Sequence, residues 1–145
     1  MKGFTPKLQR PGDLLEKLKW DLKRLEKSPS DVYAAFDFFL TAEHIPDWIN
    51  DKTVKKGSDL LMVVSHVANG AKHFEVSKDR HQSVTGIELR TGPWLDESGV
   101  SGEHIYIEFN MDDGKFAGLE LSALSLARYV YEYWESTLAQ RQANQ

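Results

Sequence analysis

The chain of 145 residues contains no cysteine, which excludes a disulfide framework, a thiolate nucleophile and a cysteine zinc site, and fits a reducing, cytoplasmic setting. Long apolar runs are missing as well; none approaches the roughly 18 residues a membrane helix needs, so no membrane association is expected. The start, MKGFTPKLQRPG, is basic without an apolar segment behind it and does not read as a signal peptide. There is no Gly-x-Gly-x-x-Gly run, P-loop, nucleophile elbow or EF-hand. Asp112-Asp113-Gly114 lacks the further ligands of a calcium loop and is expected to be a turn. Internal repeats, low-complexity tracts and linkers are also absent.

What remains is an ordinary folding composition: 41% hydrophobic, 28% charged and 11% aromatic residues, as in a soluble globular protein. The length suits a single domain spanning residues 1–145. Net charge is -4, unevenly placed: residues 1–30 carry eight Lys/Arg against four Asp/Glu, whereas residues 81–145 carry four against ten. A duplex-DNA binder would need many basic phosphate contacts and is not expected here; a short RNA on the N-terminal third is compatible with the distribution.

Helices are predicted over about 12–27, 30–49, 57–76 and 122–140. In the first, Leu14, Leu18, Leu22 and Leu25 form a stripe and Asp13 can cap. Ser28-Pro29-Ser30-Asp31 reads as the second start, with Ser28 as cap and Pro29 in the first turn. That second helix is apolar on nearly every side, which places it centrally. The third has Leu60, Val64, Val67, Ala71 and Phe74 as its stripe, and the last has Ala123, Leu126, Val130, Trp134 and Leu138, capped by Ser122. Trp20, Trp48 and Trp134 are expected to be core anchors.

Residues 83–121 form a β region. A three-residue loop with Gly114 left-handed would set Ile107 opposite Leu119 and Ile105 opposite Leu121, keeping the apolar residues on one face. The predicted fold is therefore mainly α (α+β): a four-helix bundle with a small three-stranded antiparallel sheet inserted before the last helix.

Chemistry concentrates on helices two and three. Phe36, Leu40, Glu43 and Asp47 fall on one helical line, so two carboxylates continue an apolar stripe and need donors. Helix three offers His66, Asn69 and His73 on one side, with Lys72 at the other edge of its stripe. As antiparallel neighbours, the two helices would bring Glu43 and Asp47 nearer to Ser65 and His66 than to His73. One reading is a buried polar network that fixes helix register. Another is a metal centre from Glu43, Asp47 and His66 with His73 or His44. The paired Glu-x-x-His and HExxH patterns are absent, so no metal or cofactor is expected. Trp94, in a Gly/Pro stretch, is a candidate protein or base contact.

The run Asn69-Gly70-Ala71-Lys72-His73 on a late bundle helix, preceded by a helix carrying Glu43, resembles the HEPN group of helical bundles (higher eukaryotes and prokaryotes nucleotide-binding) over residues 30–76. The resemblance implies a bacterial or phage-type protein. Several prokaryotic members are metal-independent ribonucleases of toxin–antitoxin and phage-defence systems, and members commonly dimerise. Active members have four to six residues between an Arg and the His; this chain has Asn69 with three intervening residues before His73, and no Arg at the matching place. Members without that Arg are binding or scaffold modules.

The functional expectation is accordingly a non-enzymatic binding or scaffold module, associated through the resemblance with phage defence or a toxin–antitoxin system, working through a protein partner or a homodimer. The alternative is a HEPN-type ribonuclease. His73 would then serve as base or acid and Lys72 as the cation, with Asn69 and Glu43 orienting them; Asp47, His66 and Trp94 would contribute to binding.

Overall fold

Pro11 sets the first helical position of α1 (Pro11–Lys27), where its missing N–H costs nothing. The computed structural model describes residues 3–72, 83–92, 102–110 and 114–144. Asp13 lies inside the first turn instead of before it. Its carboxylate reaches back to accept from the backbone N–H groups of Gln9 at 3.0 Å and Arg10 at 2.9 Å. The predicted leucine stripe is buried, and Asp21 is buried with it.

Helix α2 (Val32–Trp48) starts two residues later than expected. Asp31, not Ser28, is the cap: its side chain accepts from Tyr33 N and Ala34 N. Pro29 therefore precedes the helix, and the Ser28 carbonyl accepts from Asp31 N in a turn. The helix continues through Pro46 and packs against α1, α3 and α4, the central position its composition predicts. Its exposed flank is formed by Val32, Tyr33 and Phe36.

The polar connection after α2 folds into a 3₁₀ turn, Lys52–Gly57, capped by Asp51. Helix α3 (Asp59–Lys72) follows, with the Ser58 hydroxyl accepting from Leu61 N. Its buried set is Leu61, Val63, Val64, Val67 and Ala68, so the stripe is rotated from the predicted one: Leu60 and Ala71 are only half-buried. Phe74 and the predicted extension to residue 76 lie outside the described residues.

Strands β1 (Val84–Gly92), β2 (Gly102–Phe109) and β3 (Glu120–Ser122) form an antiparallel sheet in the order β1-β2-β3. Ile105, Ile107 and Phe109 face the helices and are buried, as predicted. Gly114 has φ +73, also as predicted, but the register differs: Ile107 lies opposite Leu121, not Leu119. The shift is two residues, so every side chain keeps its face. Its cause is the 114–119 segment. Gly118 also has positive φ, at +70, and Phe116 turns inward to stack on Phe109 with ring centroids 5.3 Å apart. A stretch with two left-handed residues cannot run as a strand, and β3 shortens to three residues.

Helix α4 (Ala123–Ala143) follows at once, with the Ser122 hydroxyl accepting from Ser125 N at 3.0 Å. Ala123, Leu126, Val130, Trp134 and Leu138 are buried as read from the sequence. The chain is thus mainly α with a small three-stranded antiparallel sheet before the last helix. One hydrophobic cluster draws on all four helices and the sheet. Trp20 departs from its expected core role: it is 61% exposed, with the Arg24 guanidinium 5.0 Å from its ring centre.

Candidate functional site

Glu43 is buried on α2 and meets two donors from different elements. Lys55, from the 3₁₀ turn, forms an ion pair with it, and the Ser65 hydroxyl of α3 lies 2.9 and 2.8 Å from its two carboxylate oxygens. This arrangement answers the demand that a buried carboxylate be paired and hydrogen-bonded. The predicted approach of Glu43 to Ser65 is present. Lys55 was not foreseen: it lies in a polar stretch whose sequence carries no periodic signal.

The other candidates are used separately. Asn69 donates its amide to the Ser65 carbonyl one turn back, at 2.7 Å. His66 Nδ1 accepts from Val84 N at 3.3 Å, holding the start of β1 against α3. Asp47 is exposed, 3.9 Å from His44 Nδ1 and 3.7 Å from Lys52 Nζ. The expected buried line along α2 is not realised: Phe36 is exposed, Leu40 half-buried, and Glu43 alone of the four is buried. Lys72 is exposed at the end of α3. His73 and Trp94 lie outside the described residues. Among the described residues, no group of three or more His, Asp or Glu is placed to hold a metal ion, and no helix is long and apolar enough to cross a membrane.

A second polar network joins α1 to α2. Asp21 is fully buried and takes Lys17 Nζ at 2.6 Å, Arg24 Nη1 at 3.3 Å and the Thr41 hydroxyl at 3.2 Å; Arg24 also reaches Asp37 at 2.8 Å. Its signal was present in the sequence: Leu14, Leu18, Asp21 and Leu25 follow one another at spacings of four, three and four.

Apolar surface is exposed beside these networks. Between α2, α3 and the sheet lies an open cleft of about 220 Å³, with Phe39, Val67, Ile105 and Ile107 among its lining residues. Val32, Phe36 and Ile87 also line it and are 46%, 44% and 50% exposed; Leu89, one step along β1 on the same face, is 49% exposed. A second cleft, about 540 Å³, is bounded by Leu60, Phe116, Leu119, Tyr129 and Tyr133 with Lys115 and Glu132 beside them.

The outer face of the sheet is charged. Arg90 pairs with Glu88, with Glu108 at 2.5 Å and with Glu120 at 2.8 Å, and lies 4.7 Å from the centre of the Tyr106 ring. The guanidinium holds the Glu88 and Glu120 carboxyls below their ordinary range.

Compared with known proteins, the chain matches no family model, no curated protein sequence and no solved structure.

Proposed function

We propose that this chain is a non-enzymatic binding module that takes an apolar side chain of a protein partner in the cleft between α2, α3 and β1. One observation carries the reading: Val32, Phe36 and Ile87, all large and apolar, stand about half exposed around one cleft, and Leu89 continues the exposed apolar surface along β1. Scattered exposed apolar residues need no explanation, but a contiguous group around a concavity is the usual mark of a protein contact. The Glu43 carboxylate and the Asn69 amide hold intramolecular bonds, the first with Ser65 Oγ and the second with the Ser65 carbonyl, so the first ties α2 to α3 and the second lies within α3. The HEPN resemblance suggests the setting, phage defence or a toxin–antitoxin pair, in the cytoplasm.

A photo-crosslinking residue at position 36, introduced in cells, should capture protein, and the same residue at the exposed Lys19 should not. Purified protein should leave a mixed pool of short RNAs intact without metal. Cleavage of that pool, abolished by His73→Ala with the fold retained, would replace this reading with the ribonuclease alternative.

A further inference from the structure

We infer that β1 is the contact strand of a symmetric homodimer, pairing with β1 of a second copy about a two-fold axis at Leu89. This deepens the binding-module reading and rests on it in treating the Ile87–Leu89 rim as an interface. Strand β1 has nine residues, Val84–Gly92, and is an outer strand; among the described residues no strand pairs with its free edge. Such an edge presents a row of unpaired N–H and C=O groups, which proteins usually blunt with proline, charged side chains, bulges or brevity. VTGIELRTG has no proline; its one irregularity, between Val84 and Gly86, leaves 86–92 in regular pairing, and its two charges, Glu88 and Arg90, are of opposite sign.

Symmetry and charge together choose the register. In an antiparallel pair about a two-fold axis, residue i opposes residue j and j opposes i. Keeping the apolar faces together requires one residue to oppose its own copy, with the axis midway between the two. Centred on Glu88, the pairing sets two Glu88 carboxylates against each other. Centred on Ile87, it sets Arg90 opposite Val84, where the ladder to β2 is already irregular. Centred on Leu89, it sets Glu88 opposite the partner's Arg90 twice, Leu89 opposite the partner's Leu89 and Ile87 opposite the partner's Thr91. This last register lies wholly within 86–92, where β1 pairs regularly with β2.

Both faces favour it. On the outer face of one copy, a single guanidinium serves Glu88, Glu108 and Glu120. In this register each Arg90 also stands opposite the partner's Glu88, so unlike charges face each other across the seam at both positions. On the inner face, Ile87 and Leu89, half exposed in one copy, are covered. The product is a six-stranded sheet with the two apolar clefts on the same face.

The absence of native cysteine makes the test direct. Opposed residues of an antiparallel pair have Cα atoms about 4.5–5.5 Å apart, inside the disulfide range. Leu89→Cys should therefore give a covalent dimer under mild oxidation, whereas Thr85→Cys, exposed on the same strand but away from the axis, should not. Glu88→Arg and Arg90→Glu should each weaken the dimer about tenfold or more by light scattering. Mixing these two variants should restore it as a heterodimer, which a loss of fold could not do. A monomer at high micromolar concentration, or crosslinking of Thr85→Cys as readily as Leu89→Cys, would overturn the dimer. If that monomer still captures a different protein at position 36, the binding-module reading stands and only the self-partner falls.

Discussion

Asp21 and Thr41 meet in the interior between α1 and α2, with 3.2 Å between the Asp21 Oδ2 and the Thr41 hydroxyl. The hydroxyl accepts from Lys17 at 2.8 Å and has the Asp21 carboxylate and the Asp37 carbonyl as alternative acceptors for its proton. The carboxylate has no exposure, while Lys17 and Arg24 retain 39% and 31% of theirs. That asymmetry predicts unequal effects. Lys17→Met leaves a buried carboxylate with a weaker cation partner and should destabilise by about 3 kcal/mol. Asp21→Leu frees two side chains that can reach water and should cost about 1 kcal/mol or less. Urea unfolding of both variants decides the point; equal losses would show that the pair, and not carboxylate burial, sets the cost.

Glu43 ties three elements together, so its interactions should be coupled. Ser65→Ala removes one hydrogen bond and should cost about 1 kcal/mol. A double-mutant cycle of Glu43→Gln and Lys55→Met should give a coupling of about 1–2 kcal/mol, because the pair is largely shielded from water. Additive effects would mean that Lys55 turns inward without stabilising the carboxylate.

The helices were legible because their apolar spacing was regular. Leu14 to Leu25 and Ala123 to Leu138 are buried as their periodicity requires. Caps were less legible, since Ser28 and Asp31 are both good capping residues and only the backbone path shows which one is used. The hairpin register failed by two residues because alternation fixes the face of a strand but not where the strand gives way to a turn. At the candidate site, Glu43 was found by its place on an apolar line. Its partner Lys55 comes from a segment with no periodicity, where sequence alone gives no direction for a side chain. Asp47 was misplaced because the apolar line it extends is not buried as a whole: Phe36, at its other end, is exposed too.

Two glycines should respond oppositely to alanine. Gly114 has φ +73, and an added Cβ would stand 3.3 Å from the Asp59 carboxylate, which itself accepts from Lys115 N at 2.7 Å. Gly114→Ala should therefore lose about 1–2 kcal/mol through backbone strain and displacement of that clamp. Gly70 lies within α3 with nothing among the described residues within 4 Å of its missing Cβ, so Gly70→Ala should gain about 0.5–1 kcal/mol. Because Gly70 lines the apolar cleft, that variant also tests whether narrowing the cleft weakens capture at position 36. Thermal unfolding of the two variants should shift in opposite directions.

Acid should destabilise the protein through carboxylates held low in the fold. Asp13 is lowered to about 2, first by the Gln9 N–H and then by Arg10; Asp51 is lowered by the Thr53 hydroxyl and by Arg141. Glu88 and Glu120 are lowered chiefly by Arg90. In each case the folded value lies below the ordinary one, 3.8 for Asp and 4.5 for Glu, so the unfolded chain takes up protons first as pH falls. The stabilisation is present above the ordinary values and is lost as pH drops through the folded ones. The melting temperature should thus decline from about pH 5 toward pH 2. Arg90→Met removes the main cause of two of these shifts and leaves three neighbouring glutamates without their cation. Its decline should be shallower at the upper end of that window, while the part due to Asp13 and Asp51 persists below it. An unchanged slope in Arg90→Met would assign the acid sensitivity to the carboxylates at Asp13 and Asp51 and remove the sheet's outer face from the account.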